Sequence, residues 1–324
     1  MKLPAFLVVA AFDEIHHAHA AQRCRALERH GCRVEVFDLL ERPGVLSRLA
    51  GRDLGTRLRR SVEGAKPDQV LVLGAPQLPA ELVKQLRSDT GVPWLNWFPD
   101  DLRTVREVIR RAPAYDRVFV SGTDVAARVG PALGSPVEVL APGADPSVYR
   151  PVRSRDQYRA NVVFAGSASA RREALLTGLV EFGLALWGPG WRTTSLRDYC
   201  RGEALSTDSY VRAYGGASVA VNIHHTSFTP TDDERSVNQR LFEIAAIGVP
   251  QVVDHRGDLA AHFEPGRDVM VYHDATELKH VVGTALQDLP AAQQLGESGR
   301  REVLARHTYM HRCRQLLNSV NKQE

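Results

Sequence analysis

Short apolar segments alternate with helix-forming segments through the first half of the chain. Residues 3–11 form a continuous apolar run, as expected for a strand that helices cover on both faces of a sheet. The other predicted strands of this half lie at 34–37, 69–73, 93–98, 117–120 and 137–140. Because the connections are short, this alternation predicts a parallel, doubly wound α/β sheet.

A break in this alternation predicts a second domain. Residues 141–146 read Ala-Pro-Gly-Ala-Asp-Pro, and a polar stretch follows them. The predicted strands after the break lie at 161–165, 184–187, 218–223, 250–253 and 269–272. A chain of 324 residues suits two domains of about 150 residues each. We expect domains at 1–146 and 147–305, and a C-terminal helix at 306–324 that packs back on the first domain.

Composition narrows the class of protein. Hydrophobic residues make up 44% and charged residues 24% of the chain, as in folded globular proteins. The net charge is only +3 and the arginines are scattered, so no nucleic-acid partner is expected. No apolar run reaches the roughly 20 residues of a membrane span. The four cysteines lack metal-site spacing, which favours a reduced, cytoplasmic protein.

Ligands of parallel α/β sheets bind beyond the carboxyl ends of the strands, so polar residues there are candidates. The first such turn is Gly166-Ser167-Ala168-Ser169-Ala170-Arg171-Arg172. Its small residues would let backbone N–H groups and the next helix N-terminus approach an anion. Arg171 or Arg172 could then neutralise a diphosphate. An ordinary tight turn with exposed arginines explains the pattern equally well.

A second turn, Trp187-Gly188-Pro189-Gly190-Trp191, follows the next predicted strand. Glycine lets a flat ring lie close to the backbone, and the indole faces suit stacking on a nucleotide base. The alternative is that both rings belong to the core or its rim. We favour that alternative for Trp187, and the sequence leaves Trp191 open.

A third candidate is the predicted helix at 237–247. Asn238 suits a helix start, and the apolar residues have helical spacing. Glu243 therefore lies in a mostly apolar helix, where a carboxylate needs a partner. A ribose diol is a suitable partner because a carboxylate accepts two hydroxyl hydrogen bonds. The alternative is an intrahelical ion pair with Arg240.

This helix carries a family resemblance. SVNQRLFEIAAIGVPQVVD and LAAHFEPGRDVMVYHDATEL resemble the C-terminal domain of glycosyltransferases of the spore-maturation protein CgeB type. VFAGSASARREALLTGLVEFGLALWGPGW, APGADPSVYRP and NWFPDD are similar to further segments of that family, and the resemblance covers about 93–272. It implies the GT-B fold, in which two Rossmann-like domains face each other across a cleft.

The resemblance also implies roles for single residues. Glu243 matches the glutamate that holds the donor ribose, and Asn238 and Arg240 match the family's N-x-R-x-F-E pattern. Asn222 and His224 match a strand end that faces the cleft. Eight positions before Glu243, where the wider clan often has an acidic residue, this chain has Arg235. The expected substrate-binding residues are Gly166, Ser167, Arg171, Arg172, Trp187, Gly188, Trp191, Asn222, His224, Asn238, Arg240 and Glu243.

The catalytic base, if one is used, is expected in the first domain. His16 and His17 follow the first predicted strand, and Asp100 follows the fourth. The alternatives are a solvated turn for the histidines and a helix N-cap for the aspartates, where Asp101 is the expected cap. The resemblance implies that no metal or other cofactor is used beyond the nucleotide sugar, which serves as co-substrate.

The sequence thus predicts a cytoplasmic glycosyltransferase of hexosyltransferase type. It would move a sugar from a nucleotide diphosphate sugar to an acceptor that the sequence does not identify. A non-hydrolysing nucleotide-sugar epimerase shares the fold and is one alternative. A catalytically silent, glycosyltransferase-like binding subunit is another. Arg235 keeps this alternative open, because the wider clan often has an acidic residue at that position. A two-domain solute-binding protein would need an export signal, and charge at 13–14 interrupts the N-terminal apolar run.

Overall fold

A computed structural model describes residues 3–12, 19–41, 53–98, 105–134, 137–225 and 234–321. Contacts divide the chain into two units. The first unit contains the strands and helices before Ala141 and the chain from Arg312 onward. The second unit runs from Pro142 to His311.

The first unit contains a parallel six-stranded sheet in the order β2-β1-β3-β4-β5-β6. Its strands are β1 (Ala5–Ala10), β2 (Arg33–Asp38), β3 (Gln69–Leu73), β4 (Trp94–Trp97), β5 (Arg117–Val120) and β6 (Glu138–Val139). All six residues of β1 are buried, as its continuous apolar run predicts.

Helices connect these strands and cover the sheet. The described helices of this unit are α1 (His19–Arg29), α2 (Leu54–Ala65), α3 (Ala80–Thr90), α4 (Val105–Arg111) and α5 (Thr123–Leu133). The α2 helix begins where Asp53 Oδ1 accepts a hydrogen bond from the Thr56 backbone N–H at 2.8 Å. Leu7 and Val9 of β1 pack with apolar residues of other strands and of the helices in one core cluster.

The second unit repeats the architecture. Its parallel sheet has the order β12-β11-β10-β7-β8-β9. The strands are β7 (Ala160–Ala165), β8 (Leu184–Trp187), β9 (Cys200–Gly202), β10 (Ala217–Asn222), β11 (Gln251–Asp254) and β12 (Met270–Tyr272). The predicted class, two doubly wound parallel sheets, is confirmed. The sequence analysis missed β9, because its three residues carry no apolar alternation.

The helices of the second unit differ from the predictions at two places. They are α6 (Ala170–Thr177), α7 (Thr207–Gly215), α8 (Gln239–Ile247), α9 (Ala275–Gln287), α10 (Leu289–Arg306) and α11 (Tyr309–Asn321), of which α11 continues into the first unit. No helix was predicted at α7. The C-terminal helix predicted at 306–324 begins only at Tyr309, because Ala144 pairs before it with the backbone of His307 at 3.0 Å and of Tyr309 at 2.9 Å.

The end of α11 contacts the first unit's sheet and the chain that leaves it. Arg312 Nε donates a hydrogen bond to the Ala141 carbonyl at 3.0 Å, and Arg117 of β5 donates to Ser319. Within the described ranges, no helix is both long and apolar enough to cross a membrane.

The α10 helix packs closely on the loop that leads into β11, and glycine permits this. A Cβ at Gly296 would lie 2.7 Å from the Pro250 nitrogen and 2.8 Å from the Gly248 oxygen. We expect Gly296→Ala to lower the free energy of unfolding by about 1–3 kcal/mol, because the added Cβ would meet the backbone of the loop and not the end of a flexible side chain. Urea denaturation measures this change.

Gly283→Ala is the matched control, since Gly283 lies in α9 and its Cβ would meet only the Phe182 ring at an ordinary 3.4 Å. That variant should be unchanged or stabilised by up to about 1 kcal/mol, as helix propensity favours alanine. Equal effects of the two substitutions would contradict the close packing of α10.

Candidate functional site

Polar and charged side chains of the second unit gather at the carboxyl ends of β7, β10 and β11. They come from the turn at 166–169, from the start of α6, from residues 222–224 and from the start of α8. These are the positions at which parallel sheets bind ligands. All of the predicted substrate-binding residues lie in this region or in the neighbouring turn after β8.

The turns after β7 and β8 are held side by side. Gly166 N–H donates to the Trp187 carbonyl at 2.8 Å, and Ala168 N–H donates to the Pro189 carbonyl at 2.9 Å. Gly188 has a φ of +122°, and a Cβ there would lie only 2.3 Å from the Gly166 oxygen. Only glycine fits this approach, so Gly188 fixes the position of the Gly166 turn.

The two tryptophans are core residues. Trp187 is 3% exposed and Trp191 is 0% exposed, and Trp191 Nε1 donates to the Gly166 carbonyl at 2.8 Å. The core interpretation favoured for Trp187 therefore holds, and Trp191 belongs with it. The expectation that an indole face stacks on a base is wrong for this conformation, because neither face is exposed. Trp191 instead anchors the glycine turn.

Arg172 joins the glycine turn to the end of β10. Its Nη1 donates to the Ser167 carbonyl at 2.8 Å, and its Nη2 donates to the Ile223 carbonyl at 3.0 Å. The side chain is buried, with 3% of the residue exposed. Burial, and then the positive charge of Arg240, lower the pKa of Arg172 to about 9. The guanidinium thus keeps its charge at neutral pH in poorly solvating surroundings.

Arg240 brings a second positive charge to the same turn. Its Nη1 donates to Asn222 Oδ1 at 3.2 Å, and a Cβ at Gly166 would lie 3.0 Å from its Nη2. The guanidinium carbons of Arg172 and Arg240 lie 5.3 and 5.5 Å from the centre of the Phe164 ring. Among the described residues, neither arginine forms an ion pair with a carboxylate. Burial opposes the charge of Arg240, but nearby groups, among them Glu243 and Asp254, raise its pKa. The two guanidinium charges together make this turn attractive to an anion.

Arg171 points elsewhere. Its Nη2 donates to Asp254 Oδ2 at 2.9 Å, and its Nη1 donates to the His224 carbonyl at 3.1 Å. Asp254 therefore neutralises the charge of Arg171. Of the two arginines that were predicted to meet a diphosphate, the structure leaves Arg172 at the turn and places Arg171 in a buried ion pair.

Asp254, at the end of β11, is a residue that the sequence analysis missed. Besides Arg171, it accepts hydrogen bonds from the backbone N–H of His224 at 3.0 Å and from Arg256 at 3.3 Å. Burial alone would raise the pKa of this carboxyl, but His224, Arg256 and Arg171 lower it well below its usual value. The rule that polar residues at strand ends are candidates would have found it, had it been applied to β11.

His224 is also a structural member of this network. Its Nε2 accepts a hydrogen bond from the Asn238 backbone N–H at 2.9 Å, so its Nδ1 carries the proton and donates to Asp254 Oδ1 at 2.6 Å. Because both ring nitrogens are occupied, direct contact of this ring with a substrate through nitrogen does not fit the structure. Burial lowers the pKa of His224 and keeps the ring neutral.

Asn222 and Asn238 together fix the start of α8. Asn238 Nδ2 donates to Asn222 Oδ1 at 2.9 Å, and Asn222 Nδ2 donates to Gln251 Oε1 at 3.0 Å. Asn238 Oδ1 caps the helix by accepting from the Leu241 N–H at 3.0 Å. This arrangement sets the direction in which Arg240 and Glu243 leave the helix.

Glu243 is buried, with 2% of the residue exposed. Its Oε2 accepts a hydrogen bond from the Tyr210 hydroxyl at 2.7 Å. Tyr210 comes from α7, so sequence reasoning, which did not predict that helix, could not have found this partner. The intrahelical pair considered for Glu243 would have used Arg240, whose guanidinium instead contacts Asn222.

The remaining candidates are placed as follows. His16, His17, Asp100 and Asp101 lie outside the described residues, so their expected roles stay predictions. Arg235 pairs with Asp258 at 3.2 Å. Within the part of the chain that the structure describes, no group of three or more His, Cys, Asp or Glu side chains could hold a metal ion.

Comparisons with known proteins give a family match for part of the chain and structures that share its fold. Residues 171–318, which include the start of α6 and all of α8, match the family model of glycosyl transferase-like proteins. A search of curated protein sequences gives no match.

Solved structures share the fold over almost the whole chain. Sucrose-phosphate synthase from Thermosynechococcus elongatus superposes with a TM-score of 0.71 at 14% identity, covering 100% of both chains. HepE from Anabaena, solved with UDP-glucose, gives 0.67 at 14% identity and covers 98% of this chain and 100% of its own. A glycosyltransferase from Rickettsia africae gives 0.68 at 10% identity and covers 100% of both chains. At these identities the likeness establishes the fold, which is that of GT-B proteins.

The buried neutral His224 makes stability depend on pH. Because its pKa is lowered in the folded state, the unfolded chain takes up the proton first as the pH falls. The stability that the neutral ring contributes is thus present above about pH 6.5 and lost at about 1.4 kcal/mol per pH unit below it, down to the folded pKa. Urea denaturation between pH 8 and pH 5 measures this slope.

The His224→Asn variant should show a shallower slope, because asparagine can still donate to Asp254 and does not titrate. His280→Asn, at an exposed position of α9, is the matched control and should keep the wild-type slope. A His224→Asn slope equal to that of the wild type would contradict a ring held neutral by burial.

Proposed function

We propose that this chain, a glycosyltransferase with the GT-B fold, transfers a sugar from a nucleotide diphosphate donor that the second unit binds. The acceptor would be bound mainly by the first unit. The observation that carries the proposal is the pair of guanidinium groups at the glycine turn, Arg172 and Arg240, neither of which pairs with a described carboxylate.

The donor's diphosphate fits this pair of charges. Desolvating an unpaired cation costs several kcal/mol, and a bound anion offsets that cost. Arginine suits phosphate because its planar N–H groups donate two parallel hydrogen bonds. The first turn of α6 adds backbone N–H groups and the positive end of the helix dipole. In our proposal these groups stabilise the negative charge of the leaving diphosphate, and no divalent cation takes part.

The donor's ribose is assigned to Glu243. Its carboxylate lies in the middle of the buried α8 helix, and a carboxylate can accept hydrogen bonds from both ribose hydroxyls. The HepE structures with UDP and with UDP-glucose support the same ligand class for this chain. The base would lie beside the turn at 188–190 and contact its backbone, since the neighbouring indole faces are buried.

Finer assignments complete the proposal. The C-terminal segments support membership of the CgeB-type subfamily, and a cytoplasmic location accords with the cysteine pattern. A base for deprotonating the acceptor would come from His16, His17 or Asp100.

Nucleotide binding tests the proposal. We expect one of UDP, GDP, dTDP and CDP to raise the melting temperature, because a ligand at 100 times its Kd stabilises the folded state by about 2.7 kcal/mol. Calorimetry should give the same Kd in EDTA and in magnesium. Arg240→Met should weaken binding at least tenfold, since a charge-assisted hydrogen bond contributes about 1.5–3 kcal/mol.

Arg192→Met is the matched control, because the Arg192 side chain is 65% exposed and forms an ion pair with Glu203 near the same turn. It should bind nucleotide like the wild type. Binding that needs magnesium, or equal losses in the two variants, would overturn the proposed diphosphate site. Isomerisation of the sugar by donor and protein alone would identify an epimerase instead.

A further inference from the structure

The α7 helix places two tyrosine hydroxyls on two parts of the proposed donor site. Tyr210 donates to Glu243 Oε2 at 2.7 Å. Tyr214, one turn later on the same face, accepts from the backbone N–H of Ala165 at 3.0 Å, directly before the glycine turn. One helix therefore contacts both the group assigned to the ribose and the strand end that leads to the diphosphate turn.

Tyr210 has little freedom to move. It is 3% exposed, and its ring meets the Tyr214 ring edge to face, with the ring centres 4.9 Å apart. Tyr149 packs against it in the same manner at 6.2 Å. Burial, and then the negative charge of Glu243, raise the pKa of Tyr210 well above its usual value. The hydroxyl thus keeps its proton and donates a hydrogen bond to the carboxylate.

A glutamate that recognises a diol needs a fixed carboxylate plane. Its side chain has three rotatable bonds, and freedom lost on binding lowers affinity. A carboxylate has about four acceptor sites, and the bond from Tyr210 occupies one of them. Holding one oxygen in this way sets the direction of the carboxylate's other acceptor sites before a ligand arrives.

We propose that Tyr210 is a positioning residue for ribose recognition, which holds Glu243 in the orientation that the donor's 2′ and 3′ hydroxyls require. This inference rests on the proposed function, because it takes Glu243 as the ribose ligand. Its consequence is that Tyr210 contributes to the preference for ribonucleotides over deoxynucleotides, although its hydroxyl contacts only the protein.

The test compares each ribonucleotide with a form that lacks both hydroxyls. Calorimetry of the wild type with UDP, GDP, CDP and their 2′,3′-dideoxy forms identifies the ribonucleotide that binds most tightly. That ribonucleotide and its dideoxy form are then titrated into each variant. Tyr210→Phe removes one oxygen and keeps the ring packing. It should weaken the ribonucleotide about tenfold or more and leave the dideoxy form unchanged, since losing a hydrogen bond to a charged group has an effect of this size.

Tyr214→Phe is the matched control, because it removes the same atom from the same helix but contacts the backbone of Ala165. It should leave the ratio of the two dissociation constants at the wild-type value. Melting temperatures of both variants report any general loss of stability. A Tyr210→Phe variant that weakens both nucleotides equally, or neither, would overturn the positioning role.

Glu243→Gln separates this inference from the proposed function. If that variant abolishes the preference for the ribonucleotide and Tyr210→Phe does not, Glu243 binds ribose and only the role of Tyr210 is wrong. If Glu243→Gln leaves the preference intact, or if no nucleotide binds the wild type, the ribose assignment fails and the role of Tyr210 fails with it.

Discussion

The positive charge that Arg172 and Arg240 bring to one strand end is the constraint on which the site depends. Arg172 is buried, and its guanidinium hydrogen-bonds among the described residues to oxygens of Ser167 and Ile223, which leave its net charge in place. Arg240 lies beside it across the Phe164 ring. Burying such charge without an anion is costly, and an anion bound at this turn would offset that cost.

A neighbouring cluster shows the opposite arrangement. Asp254 accepts from Arg171, Arg256 and His224, and Arg256 also pairs with Glu234 at 2.7 Å. Each positive charge there has a carboxylate partner. This neutralised cluster fixes β10, β11 and the start of α8 relative to one another. It stabilises the frame that holds Arg172 and Arg240, which form no direct ion pair with a described carboxylate, so the two sets of arginines differ in their contacts.

Most of the fold followed from the sequence, because strands covered on both faces and amphipathic helices leave distinct apolar patterns. The location of the candidate site was predicted from the positions of strand ends, and Gly166, Arg172, Asn238 and Arg240 lie close together there. Their grouping reflects a general property of parallel sheets, in which all carboxyl ends lie at one edge.

The failures have physical causes of a different kind. Sequence pattern shows neither which of two adjacent arginines faces a turn nor whether a tryptophan ring is buried, since both depend on packing against distant segments. The short α7 helix was missed although Tyr210, Val211 and Tyr214 have helical spacing, because nine residues between two loops give a weak signal. Because this helix was not predicted, Tyr210 was not identified as the partner of Glu243.

The central claim is that a pyrophosphate rests at the glycine turn without a divalent cation. A crystal structure of the protein grown with UDP and EDTA tests it most directly. Our account predicts both phosphates within hydrogen-bonding distance of the Arg172 and Arg240 guanidinium groups and the first turn of α6. A turn that stays empty, or that holds phosphate only when magnesium or manganese is added and seen bound to it, would contradict the account.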